Sequence, residues 1–327
     1  MVNWVQVANK QLVHRLARAG LRRHTVDVDD AGTVMTIWVP KHKLPTADEE
    51  QRRKKNEQRG CRLPVVLLHG FAGDGILTWV LQIGALAKHY DVYVPDLLFF
   101  GGSTSPAPGR SPEFQAECVV AALRKLGVKR CAVVGFSYGG FVAFRMAEEH
   151  PGLVRSVVVT GSLAAMTAST SDAVLQRLGA ASWVDILLPG DVAGVRSLFA
   201  VGTHGKWWLP DRVLKDYLDS DRAELLQGMV ISDKDTAAVP SFRQDILLLW
   251  GEGDMIFNME LADFMTNISQ ANLGIKELGE KATLRSISKA GHLAQLERPH
   301  VFSRCLLEFL QRGEVADVYH DDVGVVK

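Results

Sequence analysis

The feature that most restricts this chain is a succession of short, wholly apolar runs separated by helix-length stretches. The runs fall at 64–68, 92–94, 131–134, 156–160, 246–250 and 284–287, and helical periodicity marks 111–126, 139–149 and 259–271. Strands alternating with helices imply a mainly parallel sheet. Runs such as VVLL and ILLLW lack the polar alternation of a half-exposed strand, so both faces of that sheet are expected to be covered. Upstream, two β-like runs at 24–29 and 33–39 flank Asp30-Ala31-Gly32 and predict a hairpin. The alternation breaks between about 162 and 240, where no convincing strand is visible and a helical insertion is expected. Residues 41–62 hold a dense charge run, read as a solvated loop.

Composition narrows the function classes. Lys and Arg total 37 against 37 Asp and Glu, a balance that argues against a dedicated nucleic-acid binder. With 47% hydrophobic residues the chain has enough apolar surface to offset its ordering entropy. No stretch approaches the roughly 18 apolar residues of a membrane-spanning helix. Cys61, Cys118, Cys131 and Cys305 are scattered and form no C-x-x-C pair, which fits a reducing, cytoplasmic setting without structural zinc.

Residues 1–23 place Trp4, Val5, Ala8, Leu12, Leu16 and Ala19 on one helical stripe, with Lys10, Arg15, Arg18, Arg22 and Arg23 elsewhere. Such a helix either packs on its own domain or lies peripherally on an anionic membrane surface. Both readings stay open at this point.

The chemistry starts at Gly135-Phe136-Ser137-Tyr138-Gly139, a G-x-S-x-G sequence with an apolar strand before it and a helical stretch after it. A strand that turns at once into a helix strains its central residue and lifts that side chain clear of the sheet, and the helix N-terminus favours negative charge there. A serine hydroxyl needs a base, normally histidine, held by a carboxylate. His292 follows the run at 284–287, at the strand end where open α/β sheets place their sites. Asp254 stands just past the run at 246–250. Glu252 is its rival, Asp245 precedes the strand, and Asp96 ends a strand ahead of the serine. The loop His69-Gly70-Phe71-Ala72-Gly73 offers backbone donors. The amides of Phe71 and Tyr138 are therefore the expected oxyanion hole, with the His69 side chain bonded within its loop.

His-Gly-Phe at 69–71, Pro-Asp-Leu and Phe-Gly-Gly-Ser within 95–103, Gly-Phe-Ser-Tyr-Gly-Gly at 135–140, Trp-Gly-Glu-Gly-Asp at 250–254 and Ala-Gly-His at 290–292 occur in order. Together they resemble the α/β-hydrolase superfamily, in its branch of lidded esterases, monoacylglycerol lipases, epoxide hydrolases and carbon–carbon bond hydrolases, and most of all its plant serine members. The resemblance spans about 26–311. It implies an eight-stranded, mostly parallel sheet over 24–161 and 241–312 with a helical cap over 162–240; the N-terminal helix expected at 1–23 and a tail at 313–327 lie outside it. Epoxide hydrolases of that branch carry an aspartate where this chain has Ser137. Many relatives have Met in place of Tyr138, and Pro within the run Met255-Ile256-Phe257-Asn258.

The expected activity is that of a serine carboxylic-ester hydrolase on a small or medium, mostly apolar substrate. Its triad would be Ser137, Asp254 and His292, and neither a metal nor an organic cofactor is required. Trp183, Phe199, Trp207 and Trp208 are pocket candidates, though each serves equally well as cap core. Two alternatives keep the fold. One is a carbon–carbon hydrolase of a dienol-type diketone, with Arg145 or Arg177 meeting a substrate carboxylate. The other is a ligand-binding receptor.

Overall fold

A computed structural model describes residues 4–44, 62–71, 73–205, 222–233, 242–266, 278 and 281–322. One eight-stranded sheet organises them. Its strands are β1 (Leu21–Asp27), β2 (Val34–Pro40), β3 (Pro64–Leu68), β4 (Asp91–Pro95), β5 (Cys131–Phe136), β6 (Val154–Thr160), β9 (Asp245–Gly251) and β10 (Ala282–Ile287). In space they run β1-β2-β4-β3-β5-β6-β9-β10. The β1–β2 and β2–β4 pairs are antiparallel and every other neighbouring pair is parallel.

The six apolar runs all become strands of this sheet, each spanning the expected residues and all but the first gaining one or two at an end. Burial accounts for the pattern. Every residue of β4 and β5 is buried, whereas the edge strand β10 is mostly part-exposed. The hairpin forms, but its first strand starts at Leu21 rather than at residue 24. Arg22 and Arg23 therefore extend β1 instead of ending a helix. On an edge strand such polar side chains reach solvent while Leu21 and Val26 turn inward.

Helices cover both faces. On one lie α1 (Trp4–Arg18), α2 (Gly75–Leu86), α10 (Ala294–Glu297) and α11 (Pro299–Asp322), around a core that includes Leu16, Trp79, Ile83, Leu86 and Phe302. On the other lie α3 (Pro112–Lys125), α4 (Tyr138–Glu149) and α9 (Met259–Thr266), around Val119, Leu123, Phe141, Phe144 and Met265. Each fully buried side chain of this kind contributes roughly 1.5–3 kcal/mol of transfer free energy. Helix starts follow from local sequence: the Asp74 carboxylate accepts from the amide of Leu77, and the Ser111 hydroxyl from that of Phe114 with Pro112 next in line.

Between β6 and β9 the described residues form α5 (Ala168–Leu178), α6 (Trp183–Leu187), α7 (Val192–Gly202) and α8 (Ala223–Gln227). The expectation of no strand there needs correction. Met166–Thr167 (β7) and Val230–Ile231 (β8) pair in parallel. Two residues per strand are too few to leave a periodic signal in the sequence. The expected loop at 41–62 is described only at its ends, 41–44 and 62, with a short 3-10 turn at Lys41–Lys43. Cys118, Cys131 and Cys305 are free thiols, and Cys61 lies outside the described residues.

The sheet order decides where chemistry can sit. From β3 the chain moves outward to β4, and from β5 it moves the other way to β6, so the direction switches between β3 and β5. Loops leaving the carboxyl ends of those two strands part at that point and leave a crevice.

Candidate active site

Five parallel strands in a row, β3, β5, β6, β9 and β10, deliver His69, Ser137, Gly161, Asp254 and His292 to one edge of the sheet. Ser137 sits at φ 50°, ψ −117°, a left-handed region in which a side chain other than glycine is strained. Its amide is held by Thr160 O at 3.0 Å. Two close approaches explain the flanking glycines. A Cβ on Gly135 would stand 2.4 Å from Gly139 O, and one on Gly139 would stand 2.5 Å from His69 O.

Asp254 and His292 are 4% and 5% exposed and share a 2.8 Å bond from His292 Nδ1 to Asp254 Oδ2. The other carboxylate oxygen accepts the amides of Ile256 and Phe257, each at 2.9 Å. Asp254 is thus anchored on one side and free to orient the imidazole on the other. The rivals stand elsewhere. Glu252 is exposed and bonded to Ser286 Oγ, and Asp245 is exposed at the start of β9.

The His292 ring lies 5.0 Å from the ring of Phe136, the residue before Ser137, and 5.9 Å from that of Phe257. Among the described residues no hydrogen bond joins Ser137 Oγ to His292. Such bonds are often long before substrate binds and tighten with it.

Sequence reasoning passed over two supports. The first is Glu297, whose carboxylate accepts the Gly291 amide at 2.6 Å and the His204 amide at 2.8 Å, tying the histidine loop to the end of α7. The second is Gly161, at φ +57°, where a Cβ would stand 2.6 Å from His292 Cε1 and 3.3 Å from Asp254 Oδ2. A lone glycine after β6 and a glutamate in a charged stretch carry no motif that would single them out. Gly161→Ala should cut kcat by about 100-fold, since a displacement of the ring near 1 Å costs that much. Steady-state kinetics beside an unchanged circular dichroism spectrum would check it; activity within twofold of wild type would mean the ring has room to yield.

On the other side of the serine, a Cβ on Gly70 would stand 3.2 Å from Ser137 Cβ, so the 69–73 loop abuts the turn. Phe71 and Tyr138 rings meet edge to face at 6.0 Å, and their backbone amides have no hydrogen-bond partner among the described residues. The Tyr138 phenol is buried and directed at Arg110 O, 3.5 Å away. It packs the loop beneath the serine turn rather than presenting itself to a substrate.

His69 takes no part in proton transfer with these groups. Its Nε2 accepts the Leu97 amide at 2.9 Å and its Nδ1 donates to Gly70 O at 2.8 Å, which fixes the neutral ring. Burial pushes its pKa down from 6.5 to about 4. Nearby Asp96 moves the opposite way: burial and then the Asp74 carboxylate push it up to about 7, although it accepts the Gly75 amide at 3.1 Å.

The two act on stability with opposite sign. His69 is depressed in the folded state, so its contribution is present above about 6.5 and lost as pH falls toward 4. Asp96 is raised, so its contribution is present below the ordinary carboxylate range and lost as pH rises through about 7. Asp96→Asn removes the offset and leaves the histidine penalty, on the order of 3 kcal/mol, uncompensated. Urea midpoints at pH 7 and pH 4.5 should therefore drop more steeply in the variant than in wild type; equal drops would count against the opposing pair.

Among the pocket candidates, Trp183 is buried and donates to Ser171 Oγ at 2.8 Å, with its ring 6.0 Å from Phe257. It stands two rings from His292. Phe199 is half-buried on α7, while Trp207 and Trp208 lie outside the described residues. Neither arginine suggested for a substrate carboxylate faces the site as an open cation. Arg145 is held by Glu148, Glu113 and Ala164 O, and Arg177 by Met255 O and Ile256 O.

Comparison with known proteins agrees with the fold. A family model described as the alpha/beta hydrolase fold matches residues 64–185. The 2-hydroxymuconate semialdehyde hydrolase of Pseudomonas sp. (strain CF600) is 25% identical over 282 residues, 79% of this chain and 90% of that protein. Among solved structures, a bacterial membrane phospholipase A superposes with a TM-score of 0.71 at 21% identity, over 95% of this chain and 92% of that one. A thermophilic esterase from Thermogutta terrifontis gives 0.63 at 20% identity, over 89% and 99%.

Proposed function

We propose that this chain, whose architecture is that of the α/β hydrolases, is a serine hydrolase cleaving carboxylic esters of small or medium, mostly apolar molecules. The observation that carries the reading is the buried His292–Asp254 bond of 2.8 Å, set one strand-end loop from a strained Ser137. His292 Nδ1–H is committed to Asp254, which leaves Nε2 as the lone-pair nitrogen able to take a proton. Ser137 Oγ attacks the ester carbonyl while His292 removes its proton, and Asp254 stabilises the imidazolium. The amides of Phe71 and Tyr138 hold the oxyanion. His292 then protonates the departing alcohol, and water activated by the same ring releases the acyl group. Residues 162–240 act as the cap, with Trp183 and Phe199 near the acyl end.

A second reading is supported by the relative that acts on 2-hydroxymuconate semialdehyde and covers most of this chain. In it the same residues break a carbon–carbon bond of a vinylogous diketone. The decisive experiment compares kcat/KM for p-nitrophenyl esters of increasing chain length with that for such a diketone. Ester turnover at least tenfold faster supports the first reading, and the reverse order replaces it with the second.

Membrane contact belongs to the same proposal. No helix among the described residues is long and apolar enough to cross a membrane. The α1 helix has no acidic residue, and Leu16 fixes it to the core, while Val13 on α1 and Leu77 and Leu81 on the neighbouring α2 are 41%, 48% and 40% exposed. A cationic helix beside bare leucines suits the surface of an anionic bilayer. The full chain should float with vesicles containing phosphatidylserine and less so with phosphatidylcholine alone. Arg15→Glu/Arg18→Glu should abolish the difference, and equal soluble fractions throughout would remove this contact.

A further inference from the structure

The segment after Asp254 is gripped from both sides. On its inner side the amides of Ile256 and Phe257 both donate to Asp254 Oδ1 at 2.9 Å. On its outer side, Arg177 in the last turn of α5 donates from Nη1 to Met255 O at 2.5 Å and from Nη2 to Ile256 O at 2.8 Å. These four bonds share two peptide groups. The carbonyl of Met255 and the amide of Ile256 belong to one, and the carbonyl of Ile256 and the amide of Phe257 to the next. Each carbonyl that Arg177 holds is therefore on the same planar unit as an amide that holds Asp254.

A cation on the oxygen end of a peptide group strengthens the donor at its nitrogen end, since hydrogen bonds in series polarise one another. A planar guanidinium presents two donors in a fixed fork to two adjacent carbonyls, a geometry that the freely rotating donors of an ammonium do not fix. The chain continues inward through Asp254 Oδ2 to His292 Nδ1 at 2.8 Å. Phe257 adds rigidity by accepting the Trp250 indole N–H on its carbonyl at 2.7 Å.

We infer that Arg177 is a positioning residue for the reaction: through two peptide groups it fixes the orientation of Asp254 and hence of His292, and it makes that orientation depend on α5 being docked. This rests on the proposed roles of Ser137, Asp254 and His292. It assigns Arg177 a place in the hydrolysis of any substrate, in contrast to contact with a substrate carboxylate.

Two variants test it, Arg177→Met and Arg177→Lys, with ester kinetics from pH 5 to 9 and circular dichroism as a check on folding. His204, Glu252 and Glu297 surround the same loops and remain in every variant. In Arg177→Met, kcat should fall roughly tenfold with KM within about twofold, as expected for a modest loss of ring alignment. The acid limb of kcat/KM should move to higher pH, because without a cation near Asp254 the carboxylate stabilises the imidazolium charge more strongly. Arg177→Lys should return the acid limb to its wild-type position while kcat recovers only in part.

A merely structural role in cap packing would raise KM and leave both kcat and the limb unmoved. That result, or full activity in Arg177→Lys, would overturn the inference. Should Arg177→Met fail to fold, the lysine variant alone decides. Labelling of the wild-type protein by a fluorophosphonate separates the two levels. Absent labelling at Ser137 would remove the catalytic reading itself, and labelling at wild-type rate in Arg177→Met would remove only the role of Arg177.

Discussion

Ser137→Ala lowers kcat on a p-nitrophenyl ester by about a million-fold, the scale of losing the nucleophile from an assembly that acts as a unit. The residual rate comes from the amides of Phe71 and Tyr138 and from substrate binding, which remain in place. Alanine also relaxes none of the local backbone: the φ of 50° at this position is imposed by the turn, not by the hydroxyl. The variant should therefore unfold close to wild type while losing fluorophosphonate labelling. Labelling that persists in Ser137→Ala would move the nucleophile to another residue.

The second large effect is expected at Asp254. In Asp254→Asn the side chain keeps an oxygen only on one side, and the amides of Ile256 and Phe257 both demand it. The new NH2 must then face His292 Nδ1, where the carboxylate stood at 2.8 Å. A donor there turns Nδ1 into an acceptor and puts the ring proton on Nε2, the atom that has to receive the serine proton. With the wrong tautomer locked in, kcat should fall about 10,000-fold with the geometry intact. Rate measurements at pH 7 beside unchanged thermal unfolding check it. A loss under tenfold would mean that the amide side of Asp254 is looser than the two 2.9 Å bonds suggest.

Much of this was legible beforehand because the relevant signals are local. Doubly buried strands must be apolar throughout, so β3, β5 and β9 announce themselves, and the residue just past each such strand is positioned by the strand itself. Ser137 and Asp254 could be read for that reason, and His292 by the short strand ahead of it. Edge strands are harder, since polar residues are tolerated there, and β1 was accordingly read as starting three residues late. The β7–β8 pair was invisible at two residues each.

Arg177 and Gly161 show a different limit. What they touch depends on how α5 docks and on how β6 and β10 loops meet, and neither contact is written within a dozen residues of either. The arginine looked like a cation in search of an anion. In the structure it grips two carbonyls.

The β7–β8 pair also bears on how such a chain could change what it acts upon. Parallel neighbours lie about 4.8 Å apart, so the excursion that departs after Thr167 comes back at Val230 almost where it left. The strands that carry the serine, aspartate and histidine lie outside this excursion, so a segment of another length can take its place if it restores the ties to the histidine loop, the His204 amide on Glu297 and Gly202 O on the Leu293 amide. Grafting of foreign excursions onto this one doorway is therefore a mechanically cheap way to acquire a new diet, provided the graft brings its own clasp for the carbonyls after Asp254.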